Sequence, residues 1–543
     1  MLTSSARSSC AVRNPRLPVR YILRKITVLS SSLHPEPGAA AAVSPRRVFR
    51  NMLQGSGFYS IALLAAPLAS LIVLPINTRF LTPADYGTLD LLQQVTIVVS
   101  LLAGMNLSGS LGFFLAERTL PAERATVLGT AFFGSLGVGC VVAFAGFFFA
   151  PAVSKLVFAT TGDAAYLRLV FLSVPLTFVL EVCSSWMRVE DRSGAYLGAA
   201  LLRIGVSVAG TIIGLAVLHM GVWGVLSASI AAMIATGLPL AVYAFRIYPP
   251  AFEFPLLLRL AKFAFPLGLS GVALFVVHFG DRFLLPHYRP MSDLGVYSVA
   301  YKIGMLISLV YFSFHSYWSA QVYQIARRDD APVIIARTFS YLMLVLTLCG
   351  MALVVGSHPA LRILTRPAYA GAAPLVPIIV LAYYIRGIGD FFRCLFLVQG
   401  RPGYDAACNW IGSAACIVAY FALIPRWGIW GAAIATLIAF ILIGFLSVFW
   451  SYRVHPYKLE TARLAKLAVA AGVPMAAYFM VPVSSLTAQI GWAAGLMLLC
   501  LFLLTILRFQ TSGEWEVLRS IPGRLRAAGL GLGGAPLKGA SGN

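Results

Sequence analysis

Acidic side chains are scarce in this chain: 19 Asp and Glu stand against 41 Lys and Arg. Charge of either sign is thin as well, at 11% of residues, where a soluble domain carries about a quarter. No CxxC occurs, and no histidine pair accompanies the eight cysteines Cys10, Cys140, Cys183, Cys349, Cys394, Cys408, Cys416 and Cys500. Scattered and mostly inside apolar runs, they read as small packing residues, which argues against a disulfide framework or a metal centre. No lysine follows a glycine, so the phosphate-binding GxxxxGKS/T loop of an ATP-driven machine is missing. No cofactor is implied.

Apolar residues are what the chain has in excess, at 59%, with a mean hydropathy of +0.85. Runs of about 18 or more apolar residues recur from near Phe58 to near Leu507, which predicts an all-α polytopic membrane protein. Fourteen spans are expected, at 57–76, 90–114, 126–150, 166–187, 197–218, 222–245, 262–280, 294–316, 338–357, 374–398, 406–425, 428–450, 464–482 and 486–507. They are helices, because the backbone must satisfy itself in lipid and no period-two alternation is present. Pro67 and Pro75 in the first span and Pro266 in the seventh are expected to bend equivalent helices.

The net charge of +22 does not point to nucleic acid, because the basic residues sit at the termini and in alternate loops. Arg118, Arg124, Arg188, Arg192, Arg246, Arg327, Arg328, Arg401 and Arg453 follow even-numbered spans. The positive-inside bias then places both termini in the cytoplasm. Residues 1–51 form a basic extension with Glu36 as its one acid, expected to lack fixed structure. Three readings fit it: a transit peptide, a cytoplasmic tail, or an upstream start with Met52 as the true first residue. Residues 511–543 form a basic, then Gly-rich, cytoplasmic tail.

One junction is written twice. In "VLPINTRFLTPADYGTLDLLQQV", Arg79 to Pro83 matches Arg282 to Pro286, an offset of 282 − 79 = 203. Asp85-Tyr86-Gly87 matches Asp293-Leu294-Gly295 at 293 − 85 = 208, and "GVWGV" at Gly221 matches "GIWGA" at Gly428 at 428 − 221 = 207. Landmarks in one order at a near-constant offset indicate an internal duplication of six-helix halves. The expected organisation is an N-lobe at 52–250, a C-lobe at 251–455 and two further helices at 456–510. Six is even, so the halves enter the membrane in the same direction, with a substrate site between them.

The stretches "LPINTRFLTPADYGTLDLLQQ", "SDLGVYSVAYKIG" and "IPRWGIWGAAIAT" resemble the polysaccharide-transport, or O-antigen flippase, family. That family falls within the multidrug, oligosaccharidyl-lipid and polysaccharide exporter superfamily. The resemblance covers roughly Leu53 to Tyr452. It implies a flippase that carries undecaprenyl-diphosphate-linked oligosaccharide across the bacterial inner membrane by alternating access. The partners it implies are the anionic lipid-linked oligosaccharide, membrane lipids and polysaccharide polymerase or export proteins. A drug–cation antiporter of the same superfamily and a membrane polysaccharide polymerase or ligase are the alternatives. The second is disfavoured by loops too short to gather acid, base or metal groups.

Ionisable groups at bilayer depth cost about 2.5–3.5 kcal/mol on insertion scales, so each needs a reason. Arg386, Asp390 and Arg393 stand at i, i+4 and i+7 on one face of the tenth span. Two readings fit: an internal ion pair that holds the bundle, or a cationic stripe for a diphosphate. Arg79 and Arg282 are expected at the outer mouth of the two lobes, either snorkelling as turn residues or attracting an anionic substrate. Arg203 and Glu181 are expected near each other, as a pair or as cavity groups. Lys302 corresponds to Gln94 at 302 − 94 = 208, with Gln93 adjacent, which suggests a hydrated cleft between the lobes. His278 beside Asp281 is either a proton-sensing group or a hydrogen-bonded structural histidine.

Overall fold

The computed structural model describes residues 70–103, 107–118, 120–398, 402–454, 457 and 459–509. The basic extension 1–51, most of the first expected span with Pro67, and the tail 511–543 lie outside the described residues. Every regular element among the described residues is a helix. Helix α1 covers 70–80, and α2 (Pro83–Ala103) and α3 (Leu107–Ala116) together correspond to the second expected span. The first half continues with α4 (Pro121–Phe158), α5 (Ala164–Val189), α6 (Ser193–Ile212) and α7 (Val222–Ile247). The second half holds α8 (Phe254–Phe279), the short α9 (Asp281–Leu284), α10 (Met291–Gly304), α11 (Ile307–Ile325) and α12 (Ala331–Leu364). It ends with α13 (Val376–Val398), α14 (Pro402–Trp427) and α15 (Ile429–Val454), before α16 (Thr461–Met480) and α17 (Leu486–Ile506).

Eleven of these helices are long and apolar enough to cross a membrane, and two bent pairs raise the number to 13. Each overlaps one of the expected spans from the second to the fourteenth. Helix α4 runs for 38 residues, a rise of about 57 Å against a hydrocarbon core of about 30 Å. It exceeds its expected span at both ends, because the polar first turn with Glu123 and Arg124 and the final turns from Pro151 to Phe158, with Lys155, stay helical. Helix α8 bends by 47° between Pro266 and Gly271, where proline removes a backbone donor. The α10–α11 pair bends by 43°.

The duplicated junction forms a helix start in both halves. Thr82 caps α2: its Oγ1 accepts from the Asp85 amide at 3.2 Å, and the Asp85 carboxylate accepts from the Thr82 amide at 3.2 Å and hydroxyl at 2.7 Å. With Pro83 at the first helical position, this is a capping box. The second copy keeps the acid, Asp293, in the first turn of α10 but has no side-chain cap.

The two starts then pack on each other. A Cβ added to Gly295 would lie 1.8 Å from the Pro83 carbonyl oxygen, and one added to Gly87 would lie 2.4 Å from that of Met291. Pro83 and Met291 stand 208 residues apart, as do Gly87 and Gly295, so the contact is the same from both sides. Helices α2 and α10 therefore cross backbone to backbone at a glycine pair. The repeat shows again at Gly221 and Gly428, which hold φ of +57° and +56° at the starts of α7 and α15. Only glycine adopts such angles without strain.

Around the crossing, Tyr369 donates to the Leu81 carbonyl at 3.0 Å and Thr78 to the Leu364 carbonyl at 3.1 Å. One buried apolar cluster runs through both halves, from Leu74 to Phe509, while a second lies wholly within 107–264. The seam is therefore one continuous core.

Gly295→Ala is expected to force α2 and α10 apart and cost about 1–3 kcal/mol by overpacking. Gly198→Ala, which meets nothing within 4 Å, should be neutral or stabilising by up to about 1 kcal/mol. Thermal unfolding of the two variants in detergent checks this.

Candidate translocation cavity

Helix α5 carries Ser173, Thr177, Glu181, Ser184 and Arg188 at spacings of 4, 4, 3 and 4, which puts all five on one face. Helix α2 does the same with Gln93, Thr96 and Ser100. These faces bound a cavity of about 740 Å³, completed by Tyr196 and Arg203 of α6, Ser229 of α7 and Gly271 of α8. The cavity runs from Leu89 and Leu169, on the seam side, to Arg188 and Tyr196 near the opposite ends of α5 and α6. Its volume lies within the range of small-molecule sites.

Three of the sequence-predicted residues, Gln93, Glu181 and Arg203, meet here. Glu181, Arg188 and Arg203 are exposed. None forms an ion pair within 4.0 Å among the described residues. Glu181 and Arg203 are thus neighbours across open space rather than a closed pair. Arg188 and the serine and threonine positions were missed in the sequence, although their spacing of three and four along an apolar helix was visible there.

Six of the remaining predicted residues, His278, Asp281, Arg282, Arg386, Asp390 and Arg393, fall into two largely buried networks. In the first, Arg282 is 2% exposed; its Nε donates to Asp90 at 2.7 Å and its Nη1 lies 3.3 Å from Asp281. Asp90 also accepts from Ser298 at 2.8 Å, and Asp281 accepts from Tyr297. The Arg282 guanidinium stacks 4.3 Å from the Tyr301 ring centre. His278 Nδ1 lies 2.8 Å from the Tyr383 hydroxyl, which donates to Tyr301, whose own hydroxyl donates to the His278 carbonyl at 2.7 Å. This histidine is held by hydrogen bonds.

The expected pair of mouth arginines is not realised in this structure. Arg79 is exposed, but Arg282 points inward to Asp90, an acid of α2 whose counterpart in the second copy is Ser298. Of the residues expected in a hydrated cleft, Gln93 lines the cavity, whereas Gln94 and Lys302 do not. Gln94 is 5% exposed in the seam, and Lys302 Nζ lies 5.1 Å from the Tyr86 ring.

In the second network Arg386 pairs with Asp390 at 3.0 Å and Arg393 with Asp390 at 2.9 Å, while Arg393 Nε also bonds Asp405 at the start of α14. Two arginines and two aspartates sum to zero, so the stripe is not a cationic surface. Asp405 closes the balance, and it comes from another helix, beyond reach of the i, i+4 pattern. Arg386 Nη1 is buried without a hydrogen-bond partner. Among the described residues no group of three or more His, Cys, Asp or Glu could hold a metal.

Residues 52–318 match the polysaccharide biosynthesis protein family. Over 341 residues the chain is 24% identical to the succinoglycan biosynthesis transport protein ExoT of Rhizobium meliloti (strain 1021), covering 59% of this chain and 66% of that relative's length. Its fold is similar to that of the lipid II flippase MurJ in an inward closed conformation, with a TM-score of 0.68 at 15% identity over 83% of this chain and 98% of the other. It is also similar to an inward-facing multidrug resistance MATE transporter of the MOP superfamily, with a TM-score of 0.58 at 16% identity over 73% and 98%. The helical bundle thus has the fold shared by these two structures. Residues 52–318 are thus similar to polysaccharide biosynthesis proteins, in keeping with the resemblance of the junction motifs, and the chain spans just under two thirds of the transport protein it matches.

Arg282→Met would leave the carboxylates of Asp90 and Asp281 buried without their cation. The expected cost is about 3–5 kcal/mol, against less than about 0.5 kcal/mol for Arg79→Ala at its exposed, aligned position. Thermal unfolding of both variants distinguishes a clasp from a mouth residue.

Proposed function

We propose that the protein is a flippase that moves undecaprenyl-diphosphate-linked oligosaccharide units across the bacterial inner membrane for polysaccharide assembly. It does so by alternating access between two parallel six-helix lobes, at 52–250 and 251–455, with both chain termini in the cytoplasm. One observation carries the reading: Arg188 and Arg203 form no ion pair and are exposed on a cavity lined by α2, α5, α6 and α7, with Gly271 of α8 at its edge. Guanidinium forks match phosphate oxygens bidentately, and with Glu181 beside them the three groups keep a net positive charge.

The crossing closes the outer side, so this state takes substrate from the cytoplasm. Reversal requires α2 and α10 to separate and the Arg282–Asp90 contact to break. The Arg386–Asp390–Arg393–Asp405 network is assigned to the scaffold, because its charges cancel. A diphosphate moving outward across a negative-inside membrane gains about 2.3 kcal/mol per charge per 100 mV. Non-enzymatic transport accords with relatives named as transporters. A cation antiporter would use Glu181 alone, and the two adjacent arginines disfavour a cation.

Arg203→Ala is expected to lower translocation of lipid-linked oligosaccharide in cells about tenfold or more, the worth of a charge-assisted hydrogen bond. Arg203→Lys should lose less, since it keeps the charge and forfeits the fork. Membrane-inserted protein is quantified alongside, and full transport by the alanine variant would overturn the assignment.

Topology is tested separately. Cysteines placed at Asp85 and Asp293 should both react with a membrane-impermeant maleimide from the periplasm. Opposite sidedness would overturn the parallel arrangement.

A further inference from the structure

The cavity holds more hydroxyl groups than charges, and carrying a diphosphate uses none of them. Thr96 donates to the Leu92 carbonyl at 3.0 Å, Ser173 to that of Val170 at 2.7 Å and Thr177 to that of Ser173 at 3.2 Å. The Thr96 and Ser173 protons are spent on their own helices, and that of Thr177 is shared between the Ser173 carbonyl and Met233 Sδ of α7 at 3.7 Å, so the oxygen lone pairs remain as acceptors. Ser184 and Ser229 line the same cavity and make no hydrogen bond among the described residues. Serine and threonine in membrane helices commonly join one helix to the next. Here they face an open volume of about 740 Å³ instead.

Glu181 stands within this stripe, four residues from Thr177 and three from Ser184, as a carboxylate that no cation within 4.0 Å neutralises. From Ser173 to Arg188 the stripe runs for about 22 Å along α5. A long wall of acceptors with an anion at its middle fits a ligand rich in O–H donors. It repels a ligand that carries its own carboxylate at that depth.

We propose that the α5 stripe, with Thr96 and Ser229 opposite, is the saccharide-binding wall of the cavity, and that Glu181 makes it selective for uncharged sugars over acidic ones. The inference rests on the flippase reading and adds the substrate class to it. Arg188 and Arg203 take the diphosphate. The hydroxyls and Glu181 accept from the sugar hydroxyls, and a uronic acid beside Glu181 places two carboxylates together.

The test uses the full chain in nanodiscs and three radiolabelled probes. One is a short-chain polyprenyl diphosphate, the second carries a neutral hexose disaccharide on it, and the third a disaccharide with one hexuronic acid. The neutral-sugar probe is expected to bind roughly tenfold more tightly than the sugar-free probe, the worth of one or two hydrogen bonds to a charged acceptor. The acidic probe should bind no more tightly than the sugar-free one. Glu181→Gln removes the charge at nearly constant shape, and should bring the neutral and acidic probes to within about twofold of each other. The Ser173→Ala/Thr177→Val double variant should lower the ratio of neutral-sugar to sugar-free affinity. An unchanged neutral-to-acidic ratio in Glu181→Gln overturns the selectivity. Equal binding of the sugar-free and neutral probes by the wild type overturns the wall while the diphosphate reading stands. Failure of all three probes to bind removes the flippase reading and this inference together.

Discussion

A charge inside hydrocarbon must be neutralised by a partner or reached by water, and that constraint sorts Arg282, Arg386 and Arg393 from Glu181, Arg188 and Arg203. Arg282 is sealed with Asp90 and Asp281, and Arg386 and Arg393 with Asp390 and Asp405. Sealed pairs return little net stability, but breaking one is costly because it leaves an ion buried alone. Glu181, Arg188 and Arg203 meet the other condition, since they face an open cavity. The same physical rule thus separates paired charges from charges that line the cavity, with no reference to any relative.

The seam follows from a second constraint, that of close approach. Two helices can touch backbone to backbone only where neither carries a Cβ, and Gly87 and Gly295 supply that at equivalent positions. Closing the crossing brings Asp90 of α2 within reach of Arg282 and Ser298 in the second half. Tyr369 and Thr78 add hydrogen bonds across the same end. The glycine contact and these polar bonds sit within the buried apolar cluster that α2 and α10 share, so separating the two helices exposes apolar side chains as well as breaking polar contacts.

Much of this architecture was legible in the chain itself. Lipid demands long apolar helices, so hydropathy alone located the spans, and the capping chemistry of Thr82, Pro83 and Asp85 marked a helix start. Constant offsets exposed the repeat, and Gly221 and Gly428 hold matching backbone angles. The α5 stripe was legible too, in its spacing of three and four, but it is hidden when only charged residues are searched for in apolar helices.

Sequence by itself determined the helical class, the span positions, the duplication and which residues carry charge at depth, because these depend on local composition and period. Tertiary structure alone decided what each charge does. Arg79 and Arg282 align in sequence, yet one is exposed and the other is locked to Asp90. Arg386 and Arg393 look cationic until Asp405 arrives from the next helix. Glu181 and Arg203 could have closed on each other, but the cavity between α5 and α6 keeps them apart. Whether an ion is paired or open depends on which helices come within a few ångströms, and that distance is set by packing across the whole bundle rather than by any local pattern.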